Sequence, residues 1–280
     1  MRKSKFEFAH KIVDPTNAMA VKSALKREPF YSPESSITLV NYFFMREFLQ
    51  RMVKEESDLV IRGGNSLPMY TKPFRIPTDI DVSTSSPENI YQLVRHIGNT
   101  GDDVVWKIGD KSVTTNGILQ TRIEADLHGF RGGFSIDVEP AQNKASAVHT
   151  MKKVISTDEL FNAKALPLDE AVASKIDSLF NKLNREGRPK YYRVKDFYDI
   201  YMLCQDGKVN PRAINDYWNS MIPPDMRDKF KRTRDGLDQI TGPTLEHNWG
   251  IYKTKNNTPD SVDVNKVMTS VKNLIGEMEI

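Results

Sequence analysis

The stretch that decides the fold is Leu59-Val-Ile-Arg-Gly-Gly-Asn-Ser66, followed after a short span by Arg75-Ile-Pro-Thr-Asp-Ile-Asp-Val-Ser83. A short apolar run ends in a glycine pair, and the second segment alternates aspartates with apolar residues. Such alternation is typical of a β-strand, because successive side chains of a strand point to opposite faces of the sheet. The stretch therefore predicts a strand that ends in a glycine turn, and a second strand with Asp79 and Asp81 on one face.

The two aspartates suggest a metal site. Carboxylates about 7 Å apart on one strand repel each other unless a cation lies between them. Hard divalent ions such as Mg²⁺, or Mn²⁺ in its place, prefer oxygen ligands and often bind one or two protein carboxylates together with substrate phosphates. Two such ions stabilise the attacking and leaving oxygens of a phosphoryl displacement. The alternative is an edge strand whose aspartates are simply solvated.

The glycine pair suggests a phosphate site beside the carboxylates. Gly63 and Gly64 allow a sharp turn and a close approach of the backbone to a ligand. If a helix begins at about Asn65, its free N–H groups point at an anion, and Ser66 adds a hydroxyl. One segment would then contain both a phosphate-binding site and a metal-binding site.

A third carboxylate is expected from a later strand. Three further segments are predicted as strands, residues 104–108, 117–128 and 132–139, and the last two of them alternate in the same way. If the last of them pairs beside residues 79–83, Asp137 lies near Asp79 and Asp81. An exposed strand face without chemistry is the alternative for Asp137. Three other acids of these strands compete for the same role: Glu124, Asp126 and Glu139.

From about Thr157 the pattern becomes helical. In the helix that follows Pro167, Lys175 lies on the shoulder of the apolar stripe, about 70° from its centre at about 100° per residue. A lysine there either contacts phosphates or extends to solvent along the apolar surface. A helix over residues 193–204 is apolar nearly all round and should be buried, so Asp196 needs a cationic partner. A purely structural ion pair is the alternative to a role in the site.

A basic segment precedes that buried helix. Residues 182–195 contain six cations and one acid, a local charge of +5, together with two tyrosines. Positive charge with nearby rings suits phosphates and unpaired bases, whereas a solvated loop is the alternative. The cations assigned to nucleic-acid binding are Arg185, Arg188, Lys190 and Arg193.

These elements together resemble the AbiEii/AbiGii-type toxin family, which includes the MenT-like toxins, within the polymerase β-like nucleotidyltransferase superfamily. The resemblance is carried by Gly63-Gly64, by Arg75-x-x-Thr78-Asp79-x-Asp81, by Glu170-Ala-Val-Ala-Ser-Lys175 and by Arg193-x-Lys-Asp-x-x-Asp199. It implies that Asp79, Asp81 and Asp137 bind metal, and that Asp137 takes the proton of the attacking hydroxyl. It also implies nucleotide phosphate contacts for Gly63, Gly64, Asn65, Ser66, Arg75 and Lys175, and places Asp196 in the catalytic set.

The same resemblance implies a fold and an activity. We expect an α+β fold in which a nucleotidyltransferase-type mixed sheet flanked by helices (residues 1–155) is followed by a helical domain that completes the active site (residues 156–280). The expected reaction transfers a nucleoside monophosphate from an NTP to an acceptor, with tRNA 3′ ends as the expected acceptor and a cognate antitoxin as a partner. The alternatives are a transferase acting on a protein hydroxyl or a small molecule, and a non-catalytic RNA-binding protein.

Composition sets outer limits on these readings. The chain has 280 residues, one cysteine and a net charge of +3, which is too small by itself to indicate nucleic-acid binding. A lone cysteine excludes an internal disulfide and a cysteine-rich zinc site, and fits a reducing cytoplasm. The sequence contains no apolar run of about 18 residues that would predict a membrane span, and its basic start lacks the apolar core of a signal peptide.

Overall fold

A computed structural model of the chain contains two compact units, Met1–Leu166 and Pro167–Ile280. The residues that the structure describes are 6–8, 11–13, 19, 23, 26, 36–56, 58–71, 75–99, 104–115, 117–141, 149–151, 163–182, 194–205, 209–221, 237, 243–256, 258 and 261–278. The four cations assigned to nucleic-acid binding, Arg185, Arg188, Lys190 and Arg193, lie outside these described residues.

The first unit combines strands with helices. Its described strands are β1 (Phe6–Phe8), β2 (Lys11–Val13), β3 (Val60–Arg62), β4 (Asp79–Thr84), β5 (Val105–Ile108), β6 (Ser112–Val113), β7 (Leu119–Leu127), β8 (Phe130–Pro140), β9 (His149–Met151) and β10 (Ala163–Ala165). Its described helices are α1 (Ser36–Glu55), α2 (Gly63–Ser66) and α3 (Pro87–Asn99). The predicted α+β class is confirmed.

The main sheet is mixed. Its strands follow the order β5-β7-β8-β4-β3-β10-β9, with β6 paired to β7, and β1 and β2 form a separate antiparallel pair. Strand β4 runs parallel to β8, and β10 runs parallel to β3. The remaining neighbours are antiparallel. The central strand β4 therefore lies between the glycine-terminated strand β3 and the strand that carries Asp137.

An aromatic cluster fills the core between α1 and the sheet. Phe48 of α1 meets Trp106 edge-on at 5.0 Å between ring centroids, and meets Phe134 of β8 at 5.8 Å. Phe44 meets the same tryptophan at 6.0 Å. Edge-to-face ring pairs at these separations stabilise the fold beyond the contribution of the apolar area that they bury. The aromatic stripe of α1 is therefore a packing surface that fixes the sheet on which the polar residues lie.

Two short strands fall where the sequence predicted a polar connection and then continuous helix. Strands β9 and β10 pair with each other, and β10 joins the sheet through Lys164 beside Val60 and Ala165 beside Ile61. The prediction failed because Ala-Lys-Ala lacks the β-branched and aromatic residues that mark strands, so its conformation depends on long-range pairing. As a result the first unit extends to Leu166, beyond the predicted boundary at residue 155, while the roles assigned to the two domains stay a prediction.

The second unit is helical in its described part. Its helices are α4 (Leu168–Lys182), α5 (Val194–Gln205), α6 (Pro211–Met221), α7 (Pro243–Asn256) and α8 (Val264–Glu277). Helix α5 is largely buried, as its all-round apolar pattern predicts. Trp249 and Tyr252 of α7 pack on Tyr198 of α5 at 5.5 and 5.6 Å between centroids. They therefore serve the core of the helical unit.

Candidate functional site

Strand β4 presents its aspartates on the face opposite the core. Ile80 and Val82 are fully buried (0% exposed), whereas Asp79 and Asp81 are half-buried. This is the division that the period-two pattern predicts, because side chains alternate along a strand. Apolar packing on one face thus holds the two carboxylates on the other.

Strand β8 brings Asp137 directly beside Asp81. The two residues are register partners in the parallel β4–β8 pair, so their side chains share one face of the sheet. We call Asp79, Asp81 and Asp137 the carboxylate row. Partial burial raises the pKa of Asp137 above its ordinary value, the hydrogen bond from Gln120 lowers it, and the negative charge of Asp79 adds to the rise. Electrostatic repulsion from Asp79 therefore disfavours the charged form of Asp137 within the row.

Two members of the carboxylate row have no cationic partner among the described residues. The Asp137 side chain accepts one hydrogen bond, from Nε2 of Gln120 at 3.0 Å, and the Asp79 side chain accepts one from the Thr78 hydroxyl at 3.3 Å. Neither forms an ion pair within the part of the chain that the structure describes. Like charges held this close are costly unless a cation neutralises them.

The glycine turn lies against this row. Gly63 has a φ of +58°, in the left-handed region that favours glycine, and a Cβ added there would lie 2.7 Å from Cγ of Asp81. A Cβ at Gly64 would lie 3.1 Å from both terminal nitrogens of Arg75. The two glycines therefore make room for a carboxylate and a guanidinium. Helix α2 begins at Gly63, two positions before the predicted start at about Asn65.

The three other predicted phosphate contacts of this segment are buried. Nδ2 of Asn65 donates to the backbone oxygen of Asp79 at 2.6 Å, and the Ser66 hydroxyl donates to the Gly63 carbonyl at 2.9 Å. Arg75 is 7% exposed and its Nη1 reaches the Ile76 carbonyl at 3.4 Å. The Asn65 contact joins the turn to the start of β4, and the Ser66 contact closes the turn on itself. A direct contact of the three side chains with nucleotide stays a prediction.

The sequence analysis missed two polar residues that lie next to the row. Arg62 of β3 is the register partner of Asp81, and its guanidinium forms an ion pair with Glu139 of β8. Gln120 of β7 is the register partner of Asp137. Gln120 continues the polar face of its strand, which was the available signal, but only the strand order places either residue beside a carboxylate.

The donors fit a hard divalent ion. Aspartate oxygens are the ligands that Mg²⁺ and Mn²⁺ prefer. Such an ion would neutralise the charge of Asp79 and Asp137, which no cation balances among the described residues. In the described part of the chain, no group of three histidine, cysteine or acidic side chains is arranged closely enough to hold a metal ion. The metal site of Asp79, Asp81 and Asp137 therefore stays a prediction.

The second unit holds a different charged cluster. Nζ of Lys175 lies 2.9 Å from Oδ2 of Asp199 and 3.3 Å from Oδ1 of Asp196. The lysine side chain is 12% exposed, and the aspartates are 0% and 1% exposed. We call these three residues the lysine cluster. The cationic partner that Asp196 needs is thus Lys175, and the phosphate role of this lysine stays a prediction.

The lone cysteine is poorly suited to nucleophilic chemistry. Burial, with a smaller contribution from the charge of Glu277, raises the pKa of the Cys204 thiol to about 11. The thiolate is the nucleophilic form, and with this raised pKa little of it exists near neutral pH.

Within the described residues, no helix is both long and apolar enough to cross a membrane.

Comparison with known proteins identifies the family. Residues 47–248 match the family described as "Nucleotidyl transferase AbiEii toxin, Type IV TA system", which covers more than half of the chain. No curated protein matches the sequence. The fold is similar to that of MenT4, a nucleotidyltransferase toxin of Mycobacterium tuberculosis, with a TM-score of 0.60 and 14% identity over 92% of this chain and 99% of that one.

A second solved structure, JHP933 from Helicobacter pylori, has a TM-score of 0.51 and 11% identity over 85% of this chain and 91% of that one. At such identities the likeness to both structures shows the fold alone. The family match and the fold agree with the predicted resemblance, which is confirmed. The chain belongs to the AbiEii nucleotidyltransferase toxin family.

Proposed function

We propose that this toxin nucleotidyltransferase uses Mg²⁺ or Mn²⁺ to transfer a nucleoside monophosphate from an NTP to an acceptor hydroxyl, with release of pyrophosphate. One observation carries the proposal. Asp81 faces Asp137 across the β4–β8 pair and also lies against Gly63, so carboxylates and a glycine turn meet at one place. Family membership supports the reaction class.

In the proposed reaction, the acceptor oxygen attacks the α-phosphorus of the NTP. The bond from that phosphorus to the bridging oxygen breaks, pyrophosphate leaves with the bonding electrons, and the proton of the acceptor passes to Asp137. Asp79 and Asp81, together with Asp137, would hold the metal, which when bound supplies charge neutralisation for the phosphates. The backbone at Gly63 and Gly64 would contact the β and γ phosphates.

Positive side chains complete the proposed nucleotide site. Arg75 is held against Gly64, so its guanidinium is a source of positive charge at the turn, with Asn65 and Ser66 as its neighbours. We assign a second phosphate contact to Lys175, whose ammonium is fixed by two aspartates. Asp196 would act through this lysine.

We propose the 3′ end of tRNA as the acceptor and a cognate antitoxin as the partner. The family description supports a toxin–antitoxin setting. The basic segment supports RNA binding, because cations with interleaved tyrosines suit single-stranded nucleic acid. Its members in this proposal are Arg185, Arg188, Lys190 and Arg193.

The test is transfer of label from α-labelled NTPs to purified tRNA in Mg²⁺. Wild-type protein should label tRNA with at least one of the four NTPs. Asp79→Ala should lower the rate by at least about 10²-fold. Asp110→Ala removes an exposed aspartate from the same unit and should leave the rate unchanged. Equal labelling by Asp79→Ala and wild type would contradict the mechanism.

The acceptor is identified by where the label resides. If total RNA and lysate protein are offered together, phenol extraction separates labelled RNA from labelled protein and from small molecules. Label in the protein phase or in a small molecule would replace the tRNA proposal with one of the other transferase readings. RNA binding without metal and without NTP turnover would favour a non-catalytic protein.

A further inference from the structure

Four neighbouring strands carry polar residues side by side where the carboxylate row lies. Register pairs link Gln120 of β7 to Asp137 of β8, Asp137 to Asp81 of β4, and Asp81 to Arg62 of β3. Arg62 is engaged by Glu139. Gln120 is the neutral residue at the end of this series, and its side chain is the one that reaches Asp137.

The contact between these two side chains is specific. Nε2 of Gln120 donates to Oδ2 of Asp137 at 3.0 Å, within the usual range for N–H···O bonds. Gln120 provides the one side-chain hydrogen bond that Asp137 accepts among the described residues. The other carboxylate oxygen, Oδ1, is left for a ligand.

The amide is a suitable partner for this position. A cation here would neutralise Asp137 and compete with a metal ion, whereas a carboxylate would repel it. A neutral donor fixes the plane of the carboxylate without removing its charge. The next two residues on the same face of β7, Arg122 and Glu124, are exposed, whereas Gln120 is half-buried and contacts Asp137.

We propose that Gln120 is a positioning residue for the transferase reaction. It holds Asp137 in the rotamer in which Oδ1 faces the acceptor hydroxyl, and it acts only through Asp137. This rests on the proposed function, because it assumes that Asp137 takes the proton of the acceptor.

The first test is kinetic. Gln120→Ala should lower kcat about tenfold, the effect of losing one orienting hydrogen bond, while KM for the NTP changes less than about twofold. Gln120→Glu should be slower than Gln120→Ala, because it places like charges directly opposite each other. A merely structural role predicts the reverse order, since glutamate nearly matches glutamine in shape. Gln92→Ala makes the same change at an exposed position of α3 and should have no effect.

The second test is a double-mutant cycle. In an Asp137→Ala background, Gln120→Ala should cause no further loss of the residual rate, because groups that act as one unit are not additive. An equal further loss in that background would overturn the positioning role. Wild-type rates in Gln120→Ala, with a wild-type enzyme that transfers label, would overturn it while leaving the proposed function intact.

The third test needs no activity. In metal-free protein with ¹⁵N-labelled glutamine, the side-chain NH₂ resonance of Gln120 is assigned by its loss in Gln120→Ala. This resonance should shift in Asp137→Ala and stay in place in Asp110→Ala. An unchanged resonance in Asp137→Ala would overturn the contact itself. A wild-type protein without any transfer activity would overturn the proposed function and the positioning role with it.

Discussion

The carboxylate row and the lysine cluster both gather aspartates, but they balance the charge in different ways. In the lysine cluster two buried carboxylates share the ammonium of Lys175 at 2.9 and 3.3 Å. In the carboxylate row, Asp79 and Asp137 lack a cation among the described residues, and burial, with a further contribution from the charge of Asp79, raises the pKa of Asp137. The lysine cluster thus contains its own counter-ion, whereas the described residues supply none to Asp79 and Asp137.

The difference in burial agrees with this reading. Asp196 and Asp199 are almost completely buried, which is tolerable only because a cation lies between them. Members of the carboxylate row stay half-buried, so water can solvate them until a ligand arrives. Neutralising a charge should therefore have opposite effects on the stability of the two clusters.

The largest expected effect is in the lysine cluster. Lys175→Met keeps the apolar stem but leaves two buried carboxylates without their cation, and should destabilise the helical unit by about 3–5 kcal/mol. Urea unfolding followed by circular dichroism measures this change. Lys266→Met, at an exposed position of α8, should be within about 0.5 kcal/mol of wild type.

A neutral cluster should restore the lost stability. The triple variant Lys175→Met, Asp196→Leu, Asp199→Leu removes all three charges, and replacement of a buried ion cluster by apolar residues often leaves stability nearly unchanged. If Lys175→Met alone unfolds like wild type, the ion pairs do not hold this unit together and the contrast between the two clusters fails.

A smaller effect is expected at the turn beside the carboxylate row. Gly63→Ala places a side chain at a φ of +58° and against Asp81, and should destabilise the first unit by about 1–3 kcal/mol. Displacement of Asp81 should also lower the transfer rate. Both quantities are measured on the same preparation, by thermal melting and by tRNA labelling.

Gly250→Ala is the matched control for that change. This glycine lies in α7 with nothing within 4 Å of an added Cβ, and alanine is favoured over glycine within helices by about 0.5–1 kcal/mol. The same substitution should thus stabilise one site and destabilise the other. A neutral result at Gly63 would mean that the turn tolerates a side chain and that Asp81 can move aside.

The sequence predicted what depends on local pattern. Alternation placed Asp79 and Asp81 on one face of β4, and placed Asp137 on a strand that could pair beside them. The apolar residues on nearly all sides of α5 predicted that Asp196 is buried and needs a cation. Each of these follows from side-chain periodicity, which is written within a single element.

Strand order and register could not be read in the same way. The contact of Gln120 with Asp137 depends on the register of the β7–β8 hairpin, which the two-residue turn at His128 and Gly129, both at positive φ, sets. The predicted strands ended at His128 and began again at Gly132, so this turn was not recognised. Strand β10 escaped notice because Ala163-Lys-Ala165 has no strand signature and is fixed by its pairing with β3. The first turn of α2 at Gly63 was missed because glycine is rarely a helix signal.

The smallest expected effect reverses the sign seen in the lysine cluster. Asp137→Asn removes a charge from the carboxylate row and keeps an oxygen that can accept from Gln120. In EDTA at neutral pH it should stabilise the protein by less than about 1 kcal/mol, the usual scale for like charges on adjacent strands. Thermal melting over a range of pH measures the gain.

The pH dependence tests whether ionisation of Asp137 is the cause of that gain. Because the pKa of Asp137 is raised in the folded state, mainly by burial and further by Asp79, the wild-type carboxyl favours folding while it is protonated and loses that contribution as pH rises through the folded pKa. The stability advantage of Asp137→Asn should therefore vanish below the ordinary aspartate pKa of 3.8 and be complete above the raised pKa.

Mg²⁺ should narrow the stability difference between Asp137→Asn and wild type at neutral pH. A ligand that binds only the folded state stabilises it, and the wild-type row offers one more carboxylate to the ion. A gain that is independent of pH and of Mg²⁺ would show that repulsion within the row is not its source.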